Sequence, residues 1–190
     1  MRARFYLPLV VLFVASAAIN FRQARRIGEL EAATDSQFRN GLPEGMTVPD
    51  LDAQDLSVHQ VSVRYGLPTT KPHVIYVFRP SCVWCQRNKK RVGLLADRLS
   101  GKYDVIGLSL DREGLEEFVE GQSSSMIVLT EISETTRSSY RLKTTPMTIV
   151  VSANGKVMAS WIGAYDRILL PVVQRFFSIN LESSEDFSGS

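Results

Sequence analysis

Two cysteines, and only two, occur in the 190 residues, and they stand three positions apart as Cys82-Val83-Trp84-Cys85. A bridge between them would close almost no loop, so it would take little entropy from the unfolded chain and stabilise little. A disulfide scaffold needs more cysteines, scattered along the sequence. What a pair at this spacing can do is exchange. One thiolate attacks a disulfide, and the second thiol, a helical turn away, attacks the mixed disulfide and frees the partner. Only the thiolate is nucleophilic, so this chemistry needs a place that lowers one thiol's pKa.

The elements around the pair provide such a place. Val74-Ile75-Tyr76-Val77-Phe78 is an unbroken β-favouring apolar run, as expected of a central strand covered on both faces. Arg79-Pro80-Ser81 interrupts it, and the stretch from about Val83 to Leu99 reads as a helix. Cys82 then falls at a helix N-terminus, where unpaired N–H groups and the macrodipole favour a negative sulfur. Arg79, Arg87, Lys89, Lys90 and Arg91 are expected to push the same way. The expectation is an exposed nucleophile at Cys82 and a buried resolving thiol at Cys85. No organic cofactor or metal is required, because the pair itself carries two electrons.

A second element is Thr144-Thr145-Pro146-Met147-Thr148. Proline cannot join a central ladder, so Pro146 belongs at the start of a strand, where a cis bond would turn the Thr145 backbone outward. An ordinary trans turn proline is the commoner reading of the local sequence, since only about 5–6% of X-Pro bonds are cis.

The remaining stretches alternate. Val105–Leu110 and Met126–Leu129 read as strands, and about 112–120 and 132–140 as helices. Thr148–Val151 and Lys156–Trp161 flank Asn154-Gly155, a strong hairpin signal. A last amphipathic helix runs from about Asp166 to Phe177. The order predicts an α/β fold with a mixed sheet and helices on both faces. Trp161 is expected in the core, with Phe176 and Phe177 packed on the sheet. Trp84 reads equally as a docking aromatic beside the cysteines or as a core residue.

At the N-terminus Arg2 and Arg4 precede an uncharged run from Phe5 to Phe21, which Arg22, Arg25 and Arg26 follow. This is the layout of an export segment. Ala15-Ser16-Ala17 would serve as a cleavage site; retained, the run spans roughly 25 Å at 1.5 Å per residue, enough for an anchor with snorkelling arginines. The expected organisation is an anchor or signal over 1–22, a spacer over 23–45, a folded domain over 46–179 and a disordered tail over 180–190. The domain would then lie outside the cytoplasm, or be secreted if the segment is cleaved. A net charge of +2, with no basic stripe interleaved with aromatics, excludes nucleic acid as a partner.

Together the motifs resemble the thioredoxin superfamily, and within it the TlpA/ResA-like, membrane-associated branch. The residues that carry the resemblance are Phe78 to Cys85, Val105 to Asp111, and Thr145 to Val151 with Asn154-Gly155-Lys156; Val48-Pro49-Asp50-Leu51 is similar to the segment that opens such domains. The resemblance implies a thioredoxin-like fold and thiol–disulfide exchange on exported protein thiols, in the reducing direction. The domain would exchange electrons with an upstream membrane donor or acceptor. The resemblance also implies a cis Pro146 beside the cysteines, with Thr145 offering backbone hydrogen bonds to a bound partner. Three positions depart from the pattern. Ser81 stands where tryptophan is usual, and Tyr76 stands where a buried acid is common. No acid occurs on the helix between Gln86 and Arg91.

Three other readings compete. A zinc site would have to join Cys82 and Cys85 to His59 and His73, whose spacing is unlike a zinc knuckle and which read as surface or strand-edge residues. A peroxidase resembling the peroxiredoxins would want Thr or Ser where Arg79 stands. A tethered binding or holdase module would keep the cysteines without redox turnover. Asp111, Glu113, Glu116 and Glu117 read as the capped, solvated end of a surface helix rather than a metal site.

Overall fold

Apolar residues that must be covered on both sides fix the centre of the sheet. In the computed structural model, which describes residues 12, 13, 15–26 and 41–181, strand β3 (His73–Phe78) is buried at all six positions. Its flanking strands are β4 (Asp104–Ser109) and β6 (Met147–Val151), both almost wholly buried. β4 runs parallel to β3, and β6 antiparallel, with Tyr76 opposite Gly107 and Thr148. β5 (Met126–Thr130) lies parallel beyond β4, and β7 (Val157–Ile162) antiparallel beyond β6. β1 (Leu51–Asp55) and β2 (Gln60–Val63) complete a seven-stranded mixed sheet in the order β2-β1-β5-β4-β3-β6-β7.

Successive residues of a strand face opposite sides, so the sheet builds two cores. Val74, Tyr76, Phe78, Val150 and Trp161 face helix α2 (Val83–Leu99), short α3 (Leu115–Val119) and α5 (Leu169–Phe177). Ile75, Val77, Ile106, Leu108 and Ile149 face the other way, towards Tyr140 and Leu142 at the end of α4 (Glu134–Ser139). Trp161 is in the core, with Phe176 and Phe177 edge-on against it.

Several boundaries differ from the sequence reading for local reasons. The helix expected over 112–120 begins only at Leu115, because Gly114 at its N-cap has φ 69° and residues before it cannot continue a right-handed helix. The helix expected over 132–140 starts after Ser133, whose side chain caps Thr136 N–H. The last helix starts at Leu169, since the Asp166 carboxylate accepts from the N–H groups of Ile168 and Leu169. The β6–β7 connection is not a two-residue turn. Gly155 N–H bonds Ser152 O and Gly155 takes φ 79°, giving a three-residue loop with glycine in the left-handed position. The β1–β2 hairpin, paired from Leu51–Val63 to Gln54–Gln60, has no counterpart among the strands expected from the sequence.

The chain divides into two compact units, Met1–Gln37 and Phe38–Ser190. In the first, residues 15–26 are helical (α1). Among the described residues no helix is long and apolar enough to cross a membrane. Much of the run read as an export segment (1–11 and 14), most of the spacer and the tail over 182–190 lie outside the described residues. In the second unit, packing reaches back into the stretch read as spacer. Leu42 is buried, and Gly45 N–H bonds Val157 O. At the other end Leu181 is buried, its N–H bonded to Gln174 Oε1.

Candidate functional site

Helix α2 places the cysteines. Cys85, Asn88, Val92, Leu95, Ala96 and Leu99 recur at helical spacing and form its buried face. Each buried Val or Leu contributes about 1.5–3 kcal/mol, against about 1 kcal/mol for a good N-cap, so packing rather than capping holds the helix. The N-terminal end is thereby free to be built for chemistry. Its cap residue is Cys82, with extended backbone (φ −79°, ψ 115°), and its sulfur accepts from the Cys85 N–H at 3.3 Å. No acidic residue occupies the first turn, and Arg98 in the last turn suits the dipole. Gly101 leaves the helix at φ 86°.

The two sulfurs occupy opposite environments. Both are free thiols; Cys82 is partly exposed and Cys85 wholly buried. Burial alone would raise the Cys82 pKa. Hydrogen bonds from Cys85, from Thr145 and from the Trp84 backbone outweigh that and bring it below the ordinary thiol value. Burial pushes the Cys85 thiol up to about 12, helped by its hydrogen bond to Cys82. The basic side chains expected to assist Cys82 are engaged elsewhere. Arg79 Nε lies 3.5 Å from Asp111, and Arg87 stacks 5.0 Å over the Trp84 ring. Lys89 Nζ donates to Glu120 O, and Arg91 Nη1 to Tyr165 O. The leading favourable influences on Cys82 are thus hydrogen bonds at the helix start.

The loop before β6 completes the site. The Thr145–Pro146 bond is cis, Pro146 is buried, and Cys82 Sγ lies 3.8 Å from Thr145 O. Val83 and Trp84 are 61% and 56% exposed, so Trp84 stands in solvent beside Cys82 rather than in the core.

At the position of the expected acid, Tyr76 is buried with its hydroxyl accepting from Asn88 Nδ2 at 3.3 Å. Burial, with the nearby Cys85, holds that phenol far above its ordinary pKa, so it is neutral throughout the physiological range. Sequence reasoning passed over Asn88 and Tyr165. The available signal was a polar asparagine inside the otherwise apolar stripe of α2.

The histidines sit apart from this arrangement. His59 is exposed and paired with Asp55 at 3.2 Å. His73, expected at the surface or a strand edge, is buried at the head of central β3. Its Nε2 lies 3.8 Å from Asp104 and its ring is edge-on to Tyr65. Burial lowers its pKa while Asp104 pulls the other way. Among the described residues no three His, Cys, Asp or Glu side chains gather to hold a metal ion.

The fold defined by this sheet and its helices is thioredoxin-like. No protein-family model and no curated protein matches the sequence. Solved structures do match. A candidate thiol:disulfide interchange protein DsbE from Chlorobium tepidum is 17% identical, covers 72% of this chain and 97% of its own, and superposes with TM-score 0.59. A thiol:disulfide interchange protein from Bacteroides sp. is 20% identical, with coverage of 72% and 91% and TM-score 0.53. The exposed lipoprotein thioredoxin Etrx1 from Streptococcus pneumoniae is 13% identical, with coverage of 66% and 98% and TM-score 0.52. Similarity at this level establishes the shared fold.

Proposed function

We propose that the chain is a thiol–disulfide oxidoreductase in which Cys82 attacks and Cys85 resolves. One observation carries this reading: a partly exposed sulfur caps α2 and accepts the Cys85 N–H, while the second sulfur is buried one turn behind it. In the reducing direction the Cys82 thiolate attacks a partner disulfide. A Cys82–partner bond forms, the partner's own S–S bond breaks, and one partner sulfur leaves as thiolate. Cys85 gives up its proton, which that thiolate takes, and attacks Cys82 Sγ. The Cys82–Cys85 bond forms, the second partner sulfur departs, and two electrons have passed to the partner. The neutral Tyr76 phenol offers no base for this proton, so in this reading the departing sulfur accepts it.

The partners are protein thiols or disulfides. Thr145, Pro146 and Trp84 are proposed to receive them, supported by the exposed indole and by a Thr145 carbonyl within reach of Cys82. The reductant direction and an electron donor in a membrane rest on the sequence resemblance. Export, by an N-terminal anchor or a cleaved signal, is supported by the arginine-flanked apolar run of the sequence. A C-terminal reporter active only in the cytoplasm would overturn it.

The test is equilibration of the full chain against a graded glutathione redox buffer, read by thiol alkylation and mobility. A reversible two-electron transition is expected, and its midpoint assigns the direction of flow. Cysteines that stay unreactive across the series would leave a binding module without redox turnover.

A further inference from the structure

The buried face of α2 is apolar except at Asn88, which is 1% exposed. Alanine there would favour the helix and avoid burying an amide, so helix stability alone does not call for asparagine. Both ends of the amide are used. Nδ2 donates to the Tyr76 hydroxyl, and Oδ1 accepts the Tyr165 N–H at 2.9 Å. One turn further on, Arg91 Nη1 donates to Tyr165 O at 2.7 Å. The cysteine helix therefore holds both backbone polar groups of a single residue in the loop after β7.

That loop in turn holds the proline loop. The Tyr165 hydroxyl pairs with Thr148 Oγ1 at 2.7 Å, two residues after Pro146, and Gly163 N–H donates to Pro146 O at 2.9 Å. Four short hydrogen bonds thus connect α2, by way of Gly163 and Tyr165, to Pro146 and Thr148. At the surface, Cys82 Sγ and Thr145 O approach only to 3.8 Å. A thiol contact of that length is too weak to set a spacing, whereas bonds of 2.7–2.9 Å are near optimal. We propose that Asn88 is a positioning residue that grips the Tyr165 backbone and so holds the helix bearing Cys82 and Cys85 in place against the Thr145–Pro146 loop. This inference rests on the oxidoreductase reading, and it assigns the spacing of the two halves of the site to a bond made six residues along the chain from Cys82.

The experiment measures Cys82 alkylation by iodoacetamide across pH in the reduced full chain, for wild type, Asn88→Ala and Tyr165→Phe. All rates are taken well below each protein's melting temperature. Asn88→Ala is expected to move the midpoint upward and to slow alkylation at neutral pH ~fivefold, the effect of about one net hydrogen bond. Tyr165→Phe removes only the link to Thr148 and is expected to shift the profile the same way by less. A depressed wild-type midpoint that neither variant moves, with only the melting temperatures falling, overturns the positioning role and leaves exchange intact. A wild-type midpoint at the ordinary thiol value overturns the oxidoreductase reading and the positioning role with it. If Asn88→Ala does not fold, Tyr165→Phe decides on the same criterion.

Discussion

Cys82 and Cys85 share one turn of one helix, yet one is a cap residue at the surface and the other belongs to the core. The difference comes from position along α2. Cys82 precedes the first helical residue, so it meets N–H groups that have no carbonyl within the helix. Cys85 begins the stripe that continues through Val92, Leu95 and Leu99, so it meets hydrocarbon. Hydrogen bonds lower the first thiol and burial raises the second. A three-residue step along a helix is enough to divide attack from resolution.

Removing either sulfur should break that comparison most visibly. Cys82→Ser is expected to abolish exchange, with disulfide reduction falling to background in an insulin-type turbidity assay. Cys85→Ser should retain the first step and accumulate a covalent Cys82–partner species, seen as a mobility shift that reductant reverses. Accumulation in Cys82→Ser instead would exchange the two roles.

Stability against pH separates the thiols more gently. The folded-state pKa of Cys85 is raised to about 12. Its contribution is complete below the unfolded thiol value of about 8.5 and is lost as pH rises towards 12. Cys82 has the opposite sign. Its lowered pKa stabilises the fold above the unfolded thiol value, and that contribution is lost as pH falls through the folded one. In urea titrations the reduced wild type should therefore lose more stability across the alkaline range than Cys85→Ser. Half-buried Tyr65, raised to about 12, acts in both proteins and cancels in the difference. Equal alkaline loss in the two would contradict a buried, protonated Cys85.

The parts of the molecule legible in the sequence were those governed by local pattern. Val74–Phe78 could only be an inner strand, and α2 runs from Val83 to Leu99 because one apolar stripe spans that length. The β1–β2 hairpin escaped because its alternation is short. Leu51 and Ala53 are buried, but Val61 and Val63 only partly so, and its turn carries Val58 at φ 68° rather than a glycine. The basic residues near Cys82 illustrate a related point. Charge is visible in a sequence, but the partners that occupy it come from distant segments, as Asp111 does for Arg79 and Tyr165 for Arg91. The cis state of Pro146 was likewise not local; it accompanies a loop tied to Gly163.

The most direct test of the division between the two thiols is a time course of iodoacetamide labelling. The fully reduced chain would be labelled at neutral pH and each cysteine followed by peptide mass spectrometry. Cys82 is expected to label first and to completion, with Cys85 protected until denaturant is added. Labelling of Cys85 as fast as Cys82, or faster, would contradict the account.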